Sequence, residues 1–199
     1  MRRLLPLGFA LVALVACDAN GLGRVDARFF RAECPPGVEA GDLRDFGFDA
    51  GYLSTDRFRN VLIVNVQEFN VDILETDSMG ARIDLEGLER ANLLVRDGAF
   101  FVPAALPLRV PVGDDRSEAQ VLLSLYRTCE RFPGYSAVSG AVIFDAMRIR
   151  IDGEDTGDGE RLAGRMSGTL SYVDAPSPIA TATATFDFEP PSRPLREFE

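Results

Sequence analysis

LAGRMSGTLSYV, residues 162–173, and IATATATFDF, residues 179–188, carry the decisive pattern. In the first, Leu162, Gly164, Met166, Gly168, Leu170 and Tyr172 share one parity; Ala163, Arg165, Ser167, Thr169 and Ser171 share the other. In the second, Ala180, Ala182, Ala184, Phe186 and Phe188 alternate with Thr181, Thr183, Thr185 and Asp187. A strand turns successive side chains to opposite faces, so such alternation marks a sheet with one face buried and one wet. DAPSP between the two runs supplies turn residues. The pattern predicts neighbouring strands over 161–173 and 179–188, with Ala180, Ala182 and Ala184 inside and the threonines outside.

Working outward, residues 140–151 read as a third, adjacent strand, because sequential strands usually neighbour each other. Its later part sets Met147, Ile149 and Ile151 against Arg148 and Arg150, giving one wet face. Further strands are expected at 24–33 and 60–75. In the latter, Val61, Leu62, Ile63 and Val64 are consecutive, which suits a strand covered on both sides. Residues 81–96 and 99–111 suggest shorter strands. LEGLERANLLV, 85–95, could instead be a short helix, with Leu85, Leu88 and Val95 roughly on one face. Residues 117–132 have a capping-box start, Ser117 with Gln120, but also strand-like alternation of Val121, Leu123, Leu125 and Cys129. Strand is preferred there because FFRAECPPG and LYRTCERFPG echo one another, each an apolar run leading to cysteine and then proline-glycine. Residues 35–58 show neither period and read as a long loop. The fold class expected is all-β, an antiparallel β-sandwich or partly open barrel with little helix.

The N-terminus has a different logic. Arg2 and Arg3 precede an uncharged stretch from Leu4 to Ala16, interrupted only by Pro6. That stretch is too short to span a bilayer, which takes about 20 apolar residues, and has the length of a secretory signal core. It ends Leu14-Val15-Ala16-Cys17. This junction resembles the lipobox of bacterial lipoproteins, over residues 1–17 only. The resemblance implies that a diacylglycerol is attached to the Cys17 thiol, that the signal is cut before Cys17, and that the new amino group takes a further acyl chain such as palmitate. It also implies a bacterial cell-envelope location. Asp18 matches a signal that holds lipoproteins at the inner membrane in enteric bacteria, but the rule varies between groups, so inner and outer membrane both stay open. The rival reading is ordinary secretion with Cys17 free or disulfide-bonded.

The expected organisation is therefore a signal peptide at 1–16, a lipidated Cys17 and short tether at 17–23, one β domain at 24–189, and a proline-rich tail at 190–199. The six residues after Asp18's predecessor, DANGLG, reach about 20 Å when extended. A lipidated Cys17 would thus hold the domain against the membrane. Without residues 1–16 the chain has 183 residues, and 19 basic side chains face 31 acidic ones. That balance argues against nucleic acid as a partner and against a basic patch for anionic lipid. Lipidation of Cys17 leaves Cys34 and Cys129, and one remaining pair in an exported chain suggests one disulfide.

The chain offers little chemistry. It has no histidine, lysine or tryptophan. Ser-His-Asp, Cys-His, Ser-Lys and Schiff-base mechanisms are excluded by composition. A carboxylate-based hydrolase would need only two acids, but nothing singles out which two. DGEDTGDGE, 152–160, offers Asp152, Glu154, Asp155, Asp158 and Glu160 as oxygen ligands for calcium. It fails the EF-hand pattern, whose twelfth position is a glutamate and here is Ala163. A solvated acidic turn is the simpler reading, and neither a metal nor another cofactor is expected. The expectation is a non-enzymatic binding or structural module near the membrane, meeting an envelope protein. The alternative is a carrier that holds an acyl chain or other apolar ligand in a β cavity.

Overall fold

The computed structural model describes residues 21–30, 34, 43–58, 60–113, 117–129, 134–151, 159–172 and 175–190. In chain order the strands are β1 (Gly21–Phe29), β2 (Asp45–Asp49), β3 (Tyr52–Phe58), β4 (Val61–Gln67), β5 (Asp77–Asp84), β6 (Leu94–Asp97), β7 (Phe100–Pro103), β8 (Leu108–Val112), β9 (Ala119–Leu125), β10 (Tyr135–Arg150), β11 (Arg161–Tyr172) and β12 (Ala175–Phe188). The helical elements described are α1 (Leu85–Arg90) and a 3-10 turn at Ile73–Glu75. The chain is all-β, as its alternation requires.

The main sheet runs β2-β1-β12-β11-β10-β8-β9-β5-β4-β3 and curls into a half-barrel, with the β6–β7 ribbon attached through β7 to β10. Its ladders are antiparallel except for a single parallel contact of β8 with β9, Val112 opposite Ala119. The three C-terminal strands are adjacent in sequence order, as expected. Ala180, Ala182 and Ala184 are buried, while Thr181, Thr183 and Thr185 face outward. Phe186 and Phe188 extend the buried row of β12, and Phe186 meets Phe144 edge-on at 6.0 Å. Each large apolar side chain closed off in this way contributes about 1.5–3 kcal/mol.

Strand β10 shows how a long run keeps its core face. Val142 and Phe144 are buried on even positions; Met147 and Ile149 are buried on odd ones. The pairing with β11 slips between Phe144 and Ala146, and this irregularity changes the parity. An extra residue in one strand bends it and re-aims the side chains that follow.

Other expectations need correction. The segment read as a loop at 35–58 contains β2 and β3. These are the two edges of the sheet, so each has one neighbour in the strand order, and neither shows a clear run of alternation. The strand expected at 60–75 stops at Gln67. Leu62, Val64 and Val66 point inward, and Val61 and Ile63 are half-buried on the other face. The stretch 81–96 divides into the end of β5, then α1, then β6. Asp84 caps α1 by accepting the Gly87 N–H at 3.0 Å, and Leu85 and Leu88 are buried. Val95 is exposed on β6 rather than part of the helical face. Residues 99–111 resolve into β7 and β8. Within 117–132, strand wins over helix as β9. Each of the two cysteine segments follows a strand that pairs with the next strand in the chain, β1 with β2 and β9 with β10. First among the boundaries, β1 starts at Gly21, three residues before the expected Arg24.

The edges meet at one corner. β2 and β3 are consecutive in the chain, yet β2 pairs with β1 and β3 pairs with β4. At the bend the Ala50 N–H donates to the Gly23 carbonyl at 2.9 Å, and the Gly51 N–H donates to the carbonyls of Gln67 and Glu68 at 3.0 and 3.1 Å. Glycine is required at the bend: a Cβ on residue 51 would lie 2.2 Å from the Glu68 oxygen.

Candidate functional site

Of the anticipated sites, Cys34 and Cys129 are joined by a disulfide, with Cα atoms 5.7 Å apart. The bond ties the chain just beyond β1 to the chain just beyond β9. Beside these strand ends, Tyr135 is fully buried, its ring 5.1 Å from Phe29 and 5.5 Å from Tyr172. Burial pushes the Tyr135 phenol far above its ordinary range, so it stays neutral. Cys17 and the whole signal at 1–16 lie outside the described residues, as do 152–158 of the acidic segment and 191–199 of the tail. Glu160, at the root of the acidic segment, accepts the Arg150 N–H at 2.6 Å. The Arg148 guanidinium lies 3.7 Å from the centre of the Phe100 ring, bracing the same end. Among the described residues no three potential metal-ligating side chains cluster.

The outer face of β2, β1 and β12 carries two shallow open grooves. One, of about 270 Å3, is lined by Asp26, Arg28, Asp45, Phe46, Thr181 and Thr183, among others. The second, of about 440 Å3, runs past Leu22, Arg24, Asp49, Thr185 and Asp187. Arg24 bonds both Asp26 and Asp49, and these bonds raise its pKa further. The interior of the half-barrel holds Phe144, Phe186, Leu53, Leu62, Met79 and Leu123, each fully buried. Inside, these apolar side chains pack against one another; of the two outer grooves, the first has a mixed lining and the second a mostly apolar one.

The corner of Ala50 and Gly51 places a feature that periodicity did not reveal. Residues 68–76 connect β4 to β5 and begin beside Gly51. They expose Phe69, Val71, Ile73 and Leu74 at 43, 47, 41 and 60 % of their surface. Polar bonds shape the loop. Asp72 accepts the Leu74 N–H at 2.9 Å, and its carbonyl accepts the Glu75 N–H at 2.8 Å. The Thr76 hydroxyl accepts the Phe69 N–H at 3.2 Å. At the loop's far root, buried Asp77 accepts the backbone N–H groups of Arg127 and Thr128 at 2.9 and 3.1 Å, and also the Thr128 hydroxyl. Arg127 pairs with Glu68, a bond that raises the Arg127 pKa, and its guanidinium lies 4.8 Å from the Phe69 ring centre.

The strand expected at 60–75 includes this apolar group. The signal that separates them is Asn70 and Asp72, two turn formers two residues apart. No family model, no curated protein and no solved structure matches this chain.

Proposed function

We propose that the chain is a lipid-anchored protein of the bacterial cell envelope, acting without catalysis as a binding or structural module close to the bilayer. The observation that carries this reading is the junction Leu14-Val15-Ala16-Cys17, placed at the end of a short apolar stretch that follows two arginines. The start of β1 at Gly21 supports it, because the domain then begins four residues after the anchoring cysteine. Four residues span about 14 Å when extended. Two or three acyl chains, at about 0.8 kcal/mol per buried CH2, give stable attachment where a single chain would not. The partner under this reading is the membrane itself, together with an envelope protein within reach of its surface.

The test is Cys17→Ser in the bacterium. The variant is expected to leave the membrane fraction or to keep its signal uncut, and the parent to show an acylated Cys17 by mass spectrometry. A Cys17→Ser chain that is processed and stays membrane-bound like the parent overturns the reading. Fractionation of the parent distinguishes inner from outer membrane.

A further inference from the structure

We infer that the loop at residues 68–76 is a second membrane contact, whose apolar side chains enter the lipid bilayer beside the anchor. This rests on the lipid-anchor reading above and names the surface that meets the membrane.

Four exposed apolar side chains within six residues form the densest such group among the described residues. Exposed apolar residues scattered singly need no explanation, whereas a concentrated group marks a surface that meets something apolar. The loop's conformation is held by the Asp72 cap, the Thr76 hydroxyl and the Arg127–Glu68 pair, so Val71, Ile73 and Leu74 stay free to be presented outward. Position selects the occupant. The loop's root at Glu68 bonds to Gly51, and the preceding Ala50 bonds to Gly23 near the start of β1. Cys17 can lie no further than about 14 Å from Gly21. Leu22, 78 % exposed, adds to the apolar surface at this start. The loop's near root thus lies within reach of the bilayer that the anchor occupies, while its far root at Asp77 is tied through Thr128 to the disulfide beyond the other end of β1.

Charge refines the choice of lipid. Asp77 is buried under its three donors and Glu68 is paired with Arg127. Asp72 and Glu75 remain at the exposed rim of the turn. Two carboxylates at the rim oppose an anionic surface, so the contact favours zwitterionic headgroups.

The absence of tryptophan makes the test direct. In the full lipidated chain, Leu74→Trp is the sole tryptophan and sits in the turn. Phe58→Trp, at the opposite end of β3 and about 20 Å along the strand from the corner, is the control. Both are purified from membranes and reconstituted in phosphatidylcholine vesicles with and without brominated acyl chains. Leu74→Trp is expected to emit to the blue of Phe58→Trp and to lose intensity to the bromines, while Phe58→Trp does not. Adding Ile73→Asp should abolish the quenching with the protein still floating with the vesicles. Replacing part of the lipid with phosphatidylglycerol should weaken the quenching. An unquenched Leu74→Trp on a chain shown by mass to carry lipid overturns the loop contact and spares the anchor. An unmodified Cys17 overturns the anchor, and the loop proposal with it. A blue shift that needs envelope protein and is missing in pure lipid assigns the loop to a protein partner and overturns the proposal.

Discussion

The β10–β12 meander and the end of the barrel around the disulfide hold together in different ways. The meander is a repeat of one solution. Small residues and phenylalanines alternate inward, hydroxyls and charges alternate outward, and long ladders join the strands. The disulfide end relies on individual bonds: Cys34 to Cys129, Asp77 to the turn at Thr128, Arg127 to Glu68. Stability in the meander is spread over area. Near the disulfide it is concentrated in a few atoms, which leaves the adjoining surface free to carry exposed apolar residues.

Three measurements can break or sharpen this contrast. Phe186→Ala opens the meander's core between Phe144 and Phe188 and is expected to cost about 3–5 kcal/mol in a denaturant titration. A cost close to zero would mean that the meander's packing is not what holds it. Replacing Cys34 and Cys129 together by alanine should cost about 2–5 kcal/mol, because it frees a loop of sequence separation 95 in the unfolded chain. If that variant melts with the parent, the end is held by its polar bonds alone. Thr183→Val, on the outer face of β12, should stay within about 0.5 kcal/mol of the parent. A loss well beyond that would show that the threonine row belongs to a packed surface rather than a wet one.

The same contrast decides what the sequence could reveal. Ala180, Ala182 and Ala184 are legible because every second residue of β12 from Ala180 to Phe188 meets the core. Leu53 and Phe48 are not, because β2 and β3 are short edges, and the bend at Gly51 interrupts their pattern before a period can establish itself. The end of β4 was misplaced for a related reason: the apolar residues of the 68–76 loop continue its hydrophobicity without continuing its burial. Composition distinguishes apolar from polar, but says nothing of which apolar residues a fold chooses to leave outside. The disulfide pairing follows from counting once the lipobox resemblance sets Cys17 aside, whereas the lock at Asp77 needs three dimensions, since its partners lie 50 and 51 residues away in the chain.

The first strand described has its ladder with the last. Gly21 lies opposite Phe188 and Phe29 opposite Ala180. A chain made N-terminus first therefore has β1 without its main neighbour until nearly the whole of it has followed. Pairings between the two ends are slow to form, since the intervening segment must first be gathered. This wiring makes completion of the sheet wait for its last strand, whatever the order in which the inner ladders form.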